Sequence, residues 1–106
     1  MKIWLDDERP MPPDFDIWIK TAKRAIQLLT VGGITAISLD HDLGDESEQT
    51  GYDVAKHIEQ GAYNGTIAPL KITVHSANPV GRKNIEACIR NCKEFWLQHY
   101  SASAQD

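Results

Sequence analysis

The sequence predicts an α/β fold with a mostly parallel, four-stranded sheet, its elements in the order β-β-α-β-α-β-α. Two observations carry the prediction. Short apolar runs alternate with stretches whose apolar residues recur at helical spacing, and this alternation implies parallel strands joined by right-handed crossovers. Three of the apolar runs also end in ionisable groups, at Asp6-Asp7-Glu8-Arg9, at Asp40-His41-Asp42 and at His75-Ser76-Ala77-Asn78. Ligands bind at the carboxyl ends of strands in open α/β sheets. The three ends are therefore expected to meet in one acidic, histidine-bearing site.

The first strand spans Lys2 to Leu5. Pro10, Pro12 and Pro13 forbid a helix in the segment that follows, which is expected to lie over the site as a stiff loop. Asp16-Ile17-Trp18-Ile19 reads as the second strand. Thr21 can cap a helix in which Ala22, Ala25, Ile26 and Leu29 share a face, and Gly32-Gly33 ends it. Ile34 to Leu39 is the third strand and the expected centre of the sheet, because its run of apolar residues suits a strand covered on both faces. Asp45 to Gln49 is an acidic loop. Thr50-Gly51-Tyr52-Asp53 opens a second helix with Val54, Ala55 and Ile58 as its stripe and Gly61 as its expected stop. Leu70 to Val74 is the fourth strand. The last helix starts near Asn78-Pro79, where Pro suits the first turn, and buries Ile85, Cys88, Ile89, Cys92 and Trp96.

A chain of 106 residues accommodates one domain, expected over residues 1–100, with 101–106 as a polar tail. The net charge is −4 and no basic block exists, so the sequence is not expected to grip long nucleic acid, which needs clustered Lys and Arg. No segment approaches membrane-spanning length and the amino terminus lacks a signal-peptide pattern, so no membrane partner is expected and the cytoplasm is the expected location. Cys88 and Cys92, four apart on one helix face, read as buried free thiols of a reducing compartment.

The chemistry sits at the strand ends. Adjacent Asp6 and Asp7 repel one another unless a cation or an arginine lies between them. With Asp40 from another strand they form an oxygen-rich set suited to Mg²⁺ or Mn²⁺. The plain alternative is loop-capping acids, with Asp7 or Glu8 paired to Arg9. Of four histidines, His57 and His99 fall on helices as packing or surface groups, while His41 and His75 follow strands directly. Two imidazoles around a phosphate suit the opening of a cyclic phosphodiester, one taking a proton from water and the other protonating the leaving oxygen. Asp42 or Asp40 can hold the tautomer of one ring. Alternatively, one of these histidines is a metal ligand, or both are loop residues. Ser76 and Asn78 lie at a strand-to-helix turn whose free N–H groups favour an anion, with Arg82 one turn on. Ordinary helix capping explains the same residues.

These residues resemble the receiver domains of two-component response regulators. Asp6-Asp7 is similar to the receiver metal acids, Asp40 to the phospho-accepting aspartate, and Ser76-Ala77 to the hydroxyl-plus-small pair of the fourth strand. A Pro-rich loop stands where receivers have their first helix, and no fifth strand ending in Lys-Pro is found. A closer resemblance is to the cyclic-phosphate-processing receiver domains, carried by Leu5-Asp6-Asp7-Glu8-Arg9-Pro10, by Leu39-Asp40-His41-Asp42-Leu43-Gly44 and by His75-Ser76-Ala77-Asn78-Pro79-Val80-Gly81. The resemblance implies a compact, receiver-like (flavodoxin-like) three-layer fold. It also implies action on a cyclic phosphate of a nucleotide or RNA end.

The expected function is thus a phosphoesterase for a small phosphate-containing ligand. Asp6, Asp7 and Asp40 would hold Mg²⁺ or Mn²⁺. His41, His75, Asp40 and Asp42 would carry the chemistry, and Arg9, Ser76, Asn78 and Arg82 would steady the phosphate. Two other functions use the same residues: a divergent receiver or pseudo-receiver with Asp40 as phospho-acceptor, and a protein that binds a cyclic nucleotide without turnover.

Overall fold

Register across the strands explains where the core lies. A computed structural model describes residues 1–44 and 49–105, with side chains through residue 99. Strands β1 (Lys2–Leu5), β2 (Ile17–Ile19), β3 (Ala36–Leu39) and β4 (Lys71–Val74) form one parallel sheet in the order β2-β1-β3-β4. This is the flavodoxin-like strand order, with no fifth strand among the described residues. Ile3, Ile17, Ile37 and Ile72 align across it, as do Leu5, Ile19, Leu39 and Val74. Side chains two apart share a face, so both rows point to one side.

That side meets three helices, α1 (Ala22–Val31), α2 (Gly51–Asn64) and α3 (Pro79–Gln105). Ala25 and Leu29 from α1, Val54 and Ile58 from α2, and Ile85 and Cys92 from α3 join Ile3, Leu5, Ile37 and Leu39 in a single cluster. Each fully buried aliphatic side chain there is worth roughly 1.5–3 kcal/mol. Both cysteines are buried and free, as the helical spacing predicts.

The intervening row of Trp18, Trp4, Ser38 and Thr73 faces the opposite side. The residues that the three helices bury join the cluster on the other side. Phe15, from the segment between β1 and β2, meets Trp4 edge-on at 5.2 Å between ring centroids. The reason is topological. The β2-to-β3 and β3-to-β4 connections move the same way across the sheet, so right-handed crossovers place their helices on one face. The β1-to-β2 connection moves the other way, and prolines occupy it instead of a helix.

Element ends follow local chemistry. Thr21 Oγ1 accepts from Arg24 N at the start of α1. At α2, Thr50 and Asp53 form a reciprocal capping box. The helix runs through Gly61, the expected stop, and ends at Asn64, with Gly65 left-handed at φ +77°. Gly61 is instead a packing position, because a Cβ there would lie 2.4 Å from Ile67 Cδ1. Asp16, expected in β2, precedes it and takes Lys2 N on its carboxylate at 2.8 Å. β3 likewise starts two residues later than expected and β4 one residue later. α3 continues into the polar residues 101–105. The acidic loop expected over Asp45–Gln49 falls, apart from Gln49, outside the described residues. No helix among the described residues is long and apolar enough to cross a membrane.

Candidate functional site

The carboxyl ends of β1, β3 and β4 open into one cavity of about 250 Å³. Asp6, Asp7, Glu8 and Arg9 line it after β1, Asp40, Asp42 and Gly44 after β3, and Ala77 after β4. β1 and β3 are the adjacent strands whose outgoing connections run in opposite directions, which is where such sheets leave a crevice. Among the described residues the lining holds five acidic residues and one arginine. A phosphate would be repelled by that wall unless a cation accompanied it.

Asp6 is 1% exposed. Its Oδ1 accepts from the backbone N–H groups of Glu8 at 2.8 Å and Arg9 at 2.7 Å, and its Oδ2 lies 2.9 Å from His75 Nε2. Burial pushes this carboxyl up, but those three donors outweigh it and hold Asp6 below the ordinary carboxylate range. Asp40 goes the other way. Burial first, and then the nearby Asp6 anion, raise it, while the Ser76 hydroxyl, His75 and Arg9 pull it partly back. One ligand atom from each of Asp6, Asp40 and His75 lies within 4.8 Å of the others. The carboxylate oxygens of Asp6 and Asp40, with Asp7 beside them on the cavity wall, are the kind of donors that suit a hard divalent cation.

His75 lies against the sheet face that carries Trp4 and Ser38. Its Nδ1 lies 2.7 Å from Ser38 Oγ, and its ring stacks on Trp4 at 3.8 Å between centroids and 8° between planes. Burial lowers its pKa, and the pull of Asp6 and Asp40 in the opposite direction does not compensate. Arg9 Nη1 donates to its carbonyl oxygen at 2.7 Å. Trp4 and Trp18 add their indole N–H groups to the carbonyls of Arg9 and Asp6, at 2.9 and 2.7 Å.

His41 has different surroundings, although β3 and β4 are neighbours. Its Nδ1 lies 2.8 Å from Asp42 Oδ1. Asn78 Nδ2 approaches the same oxygen at 3.4 Å, while its Oδ1 accepts from Gly81 N and so caps α3. The ring rests on Gly81, where a Cβ would lie 2.2 Å from His41 Cγ. Ser76 Oγ accepts from Asn78 N and also bonds Asp40.

The structure thus brings Asp6, Asp7, Arg9, Asp40 and Asp42 to one cavity wall, with Ser76 and His75 bonded to its acids. His41 and Asn78 join through Asp42. Arg82 is not among the lining residues, and its Nε instead bonds Glu86 Oε1 at 2.9 Å along α3. Sequence reasoning gave no role to Ser38, Trp4 or Gly81. Ser38 carried a faint signal, a hydroxyl inside an apolar strand, but its partner lies 37 positions away.

The model of one protein family, described as cyclic-phosphate processing receiver domain, matches residues 1–91. No curated protein and no solved structure matches the chain significantly.

Proposed function

The chain belongs to the cyclic-phosphate processing receiver domains, and from that premise we propose that it is a phosphoesterase that opens a cyclic phosphate on a nucleotide or RNA end. The observation that carries this reading is the His41–Asp42 pair, bonded at 2.8 Å, with Asp42 on the wall of the acidic cavity. A carboxylate that accepts the Nδ1 proton leaves the Nε2 lone pair available, the arrangement a general base needs. His41 Nε2 has no partner among the described residues.

The proton bookkeeping follows from that pair. His41 Nε2 takes a proton from water as the water oxygen bonds to phosphorus. One ring P–O bond breaks, and the resulting imidazolium returns its proton to the departing oxygen. Asp42 holds the ring upright and stabilises its charged form. Arg9, on the cavity wall, faces a phosphate oxygen. Asp6, Asp7 and Asp40 would hold Mg²⁺ or Mn²⁺, which when bound supplies the positive charge a phosphate needs beside these acids.

Incubation of the purified protein with Mg²⁺ or Mn²⁺ and a panel of 2′,3′-cyclic nucleotides and cyclic dinucleotides tests the reading by chromatography. The expected result is a linear phosphate product, with turnover lowered roughly 10²–10⁴-fold in His41→Ala. An intact panel would overturn it. Calorimetric binding with the ligand recovered unchanged would assign the same site to capture instead of hydrolysis.

A further inference from the structure

His41 and His75 look alike in the sequence, yet the hydrogen bonds divide them. Asp6 Oδ1 already accepts two backbone N–H groups, and an ionised carboxylate has only acceptors to offer. The contact of 2.9 Å between Asp6 Oδ2 and His75 Nε2 therefore requires the proton on Nε2. In a neutral ring Nδ1 is then the acceptor, and the hydroxyl of Ser38, 3% exposed and 2.7 Å away, is its donor. The ring plane is fixed by Trp4, itself tied through Nε1 to the Arg9 carbonyl. Neither ring nitrogen of His75 has a lone pair or a proton left for a substrate or a cation.

We propose that Ser38 and His75 form a positioning relay, in which the Ser38 hydroxyl holds His75 Nδ1 and His75 Nε2–H holds Asp6 Oδ2, so that His75 aims a cation-binding carboxylate and neither ligates the cation nor transfers substrate protons. Metal-ligating groups are commonly oriented by such outer partners. The relay deepens the site reading above and rests on it in one respect, that Asp6 is a cation ligand. Ser38 and His75 are positioning residues in this scheme, and His41 is left as the proton-transfer group.

Two readouts test it without relying on turnover. The first is ¹⁵N NMR of the His75 ring in the wild-type protein. A protonated Nε2 and an acceptor Nδ1, both retained when Mg²⁺ is added, are expected. A proton on Nδ1, or an Nε2 that loses its proton to Mg²⁺, would overturn the relay. The second is Mn²⁺ affinity in His75→Ala, His75→Gln and Ser38→Ala, each checked for folding by circular dichroism. His75→Ala should weaken binding about 10-fold or more. His75→Gln, whose amide N–H can still reach Asp6, should recover most of that loss, and Ser38→Ala should fall between them. A Gln variant as weak as the Ala variant would mark His75 as a ligand and defeat the proposal. If the variants do not fold, the wild-type spectrum decides alone. Failure of Mn²⁺ to bind the wild type overturns the relay together with the cation reading. Binding of Mn²⁺ without hydrolysis overturns only the phosphoesterase reading.

Discussion

Asp6 and Asp40 are the same residue type at equivalent strand ends, and their surroundings pull their acidities apart. Asp6 gathers three N–H donors and stays an anion despite its burial. Asp40 gathers desolvation and the field of Asp6, and is raised. A cation between them would relieve both burdens, since it replaces lost solvation and offsets the repulsion. Gly81 shows the same dependence on a single atom. In an open helix turn, replacing Gly by Ala favours folding by up to about 1 kcal/mol. Here the new Cβ would stand 2.2 Å from His41 Cγ. Gly81→Ala should therefore destabilise the protein, by about 1–3 kcal/mol as overpacking does. It should also push the imidazole off Asp42, lowering turnover on the order of 100-fold. Thermal melts and kcat/KM for the cyclic substrate would check both halves.

At the scale of elements, the site depends on where helices begin as much as on where strands end. α2 starts directly behind the Asp40 loop, with Gly51 N donating to the His41 carbonyl at 3.0 Å. The capping box holds that start in place. Asp53 Oδ2 accepts Thr50 N at 2.7 Å, and this bond, opposed by burial and helped by Lys56, lowers the Asp53 pKa from 3.8. A lowered carboxyl stabilises the fold above its unfolded value and loses that contribution as the pH falls through its folded value. Asp53→Ala should thus cost about 1 kcal/mol at neutral pH. The gap from wild type should close below about pH 3.8, as read from urea denaturation at several pH values. Strand ends, caps and the parallel order were legible in the sequence because each is local: an apolar run, a Thr before a helix, an acid three residues on. Helix length was less legible. Gly61 looks like a stop until Ile67 is seen packed on it, and that contact is set by tertiary structure.

For the whole molecule, the three helices share one core on one side of the sheet, and on the other side Phe15, from the segment between β1 and β2, and His75 meet Trp4. A parallel sheet was legible from alternation and a receiver-like fold from the strand-end motifs, but the side on which each connection lies was not. It depends on which way each connection crosses the sheet, and the proline segment gave no sign of which side chains it would meet. The same gap explains the site. The three strand ends, two acidic and one bearing His75, could be read from the sequence as converging, since parallel strands bring their carboxyl ends together. Which histidine would be locked and which left open could not, because Ser38, His75 and Asp6 are joined only by folding.

The tryptophans have a practical consequence. Of the three in the chain, Trp4 stacks on His75 and bonds the Arg9 carbonyl, and Trp18 bonds the Asp6 carbonyl. The third, Trp96, is buried in the helical core and bonds the Ile67 carbonyl. The protein thus carries two fluorophores hydrogen-bonded to residues that line its acidic cavity and one internal reference bonded elsewhere. Filling the cavity with Mg²⁺ should shift or quench the intrinsic emission, and a chelator should restore it. The change should shrink in Trp4→Phe and Trp18→Phe and persist in Trp96→Phe. Occupancy would then be readable by light alone, in a titration that needs no label and no substrate.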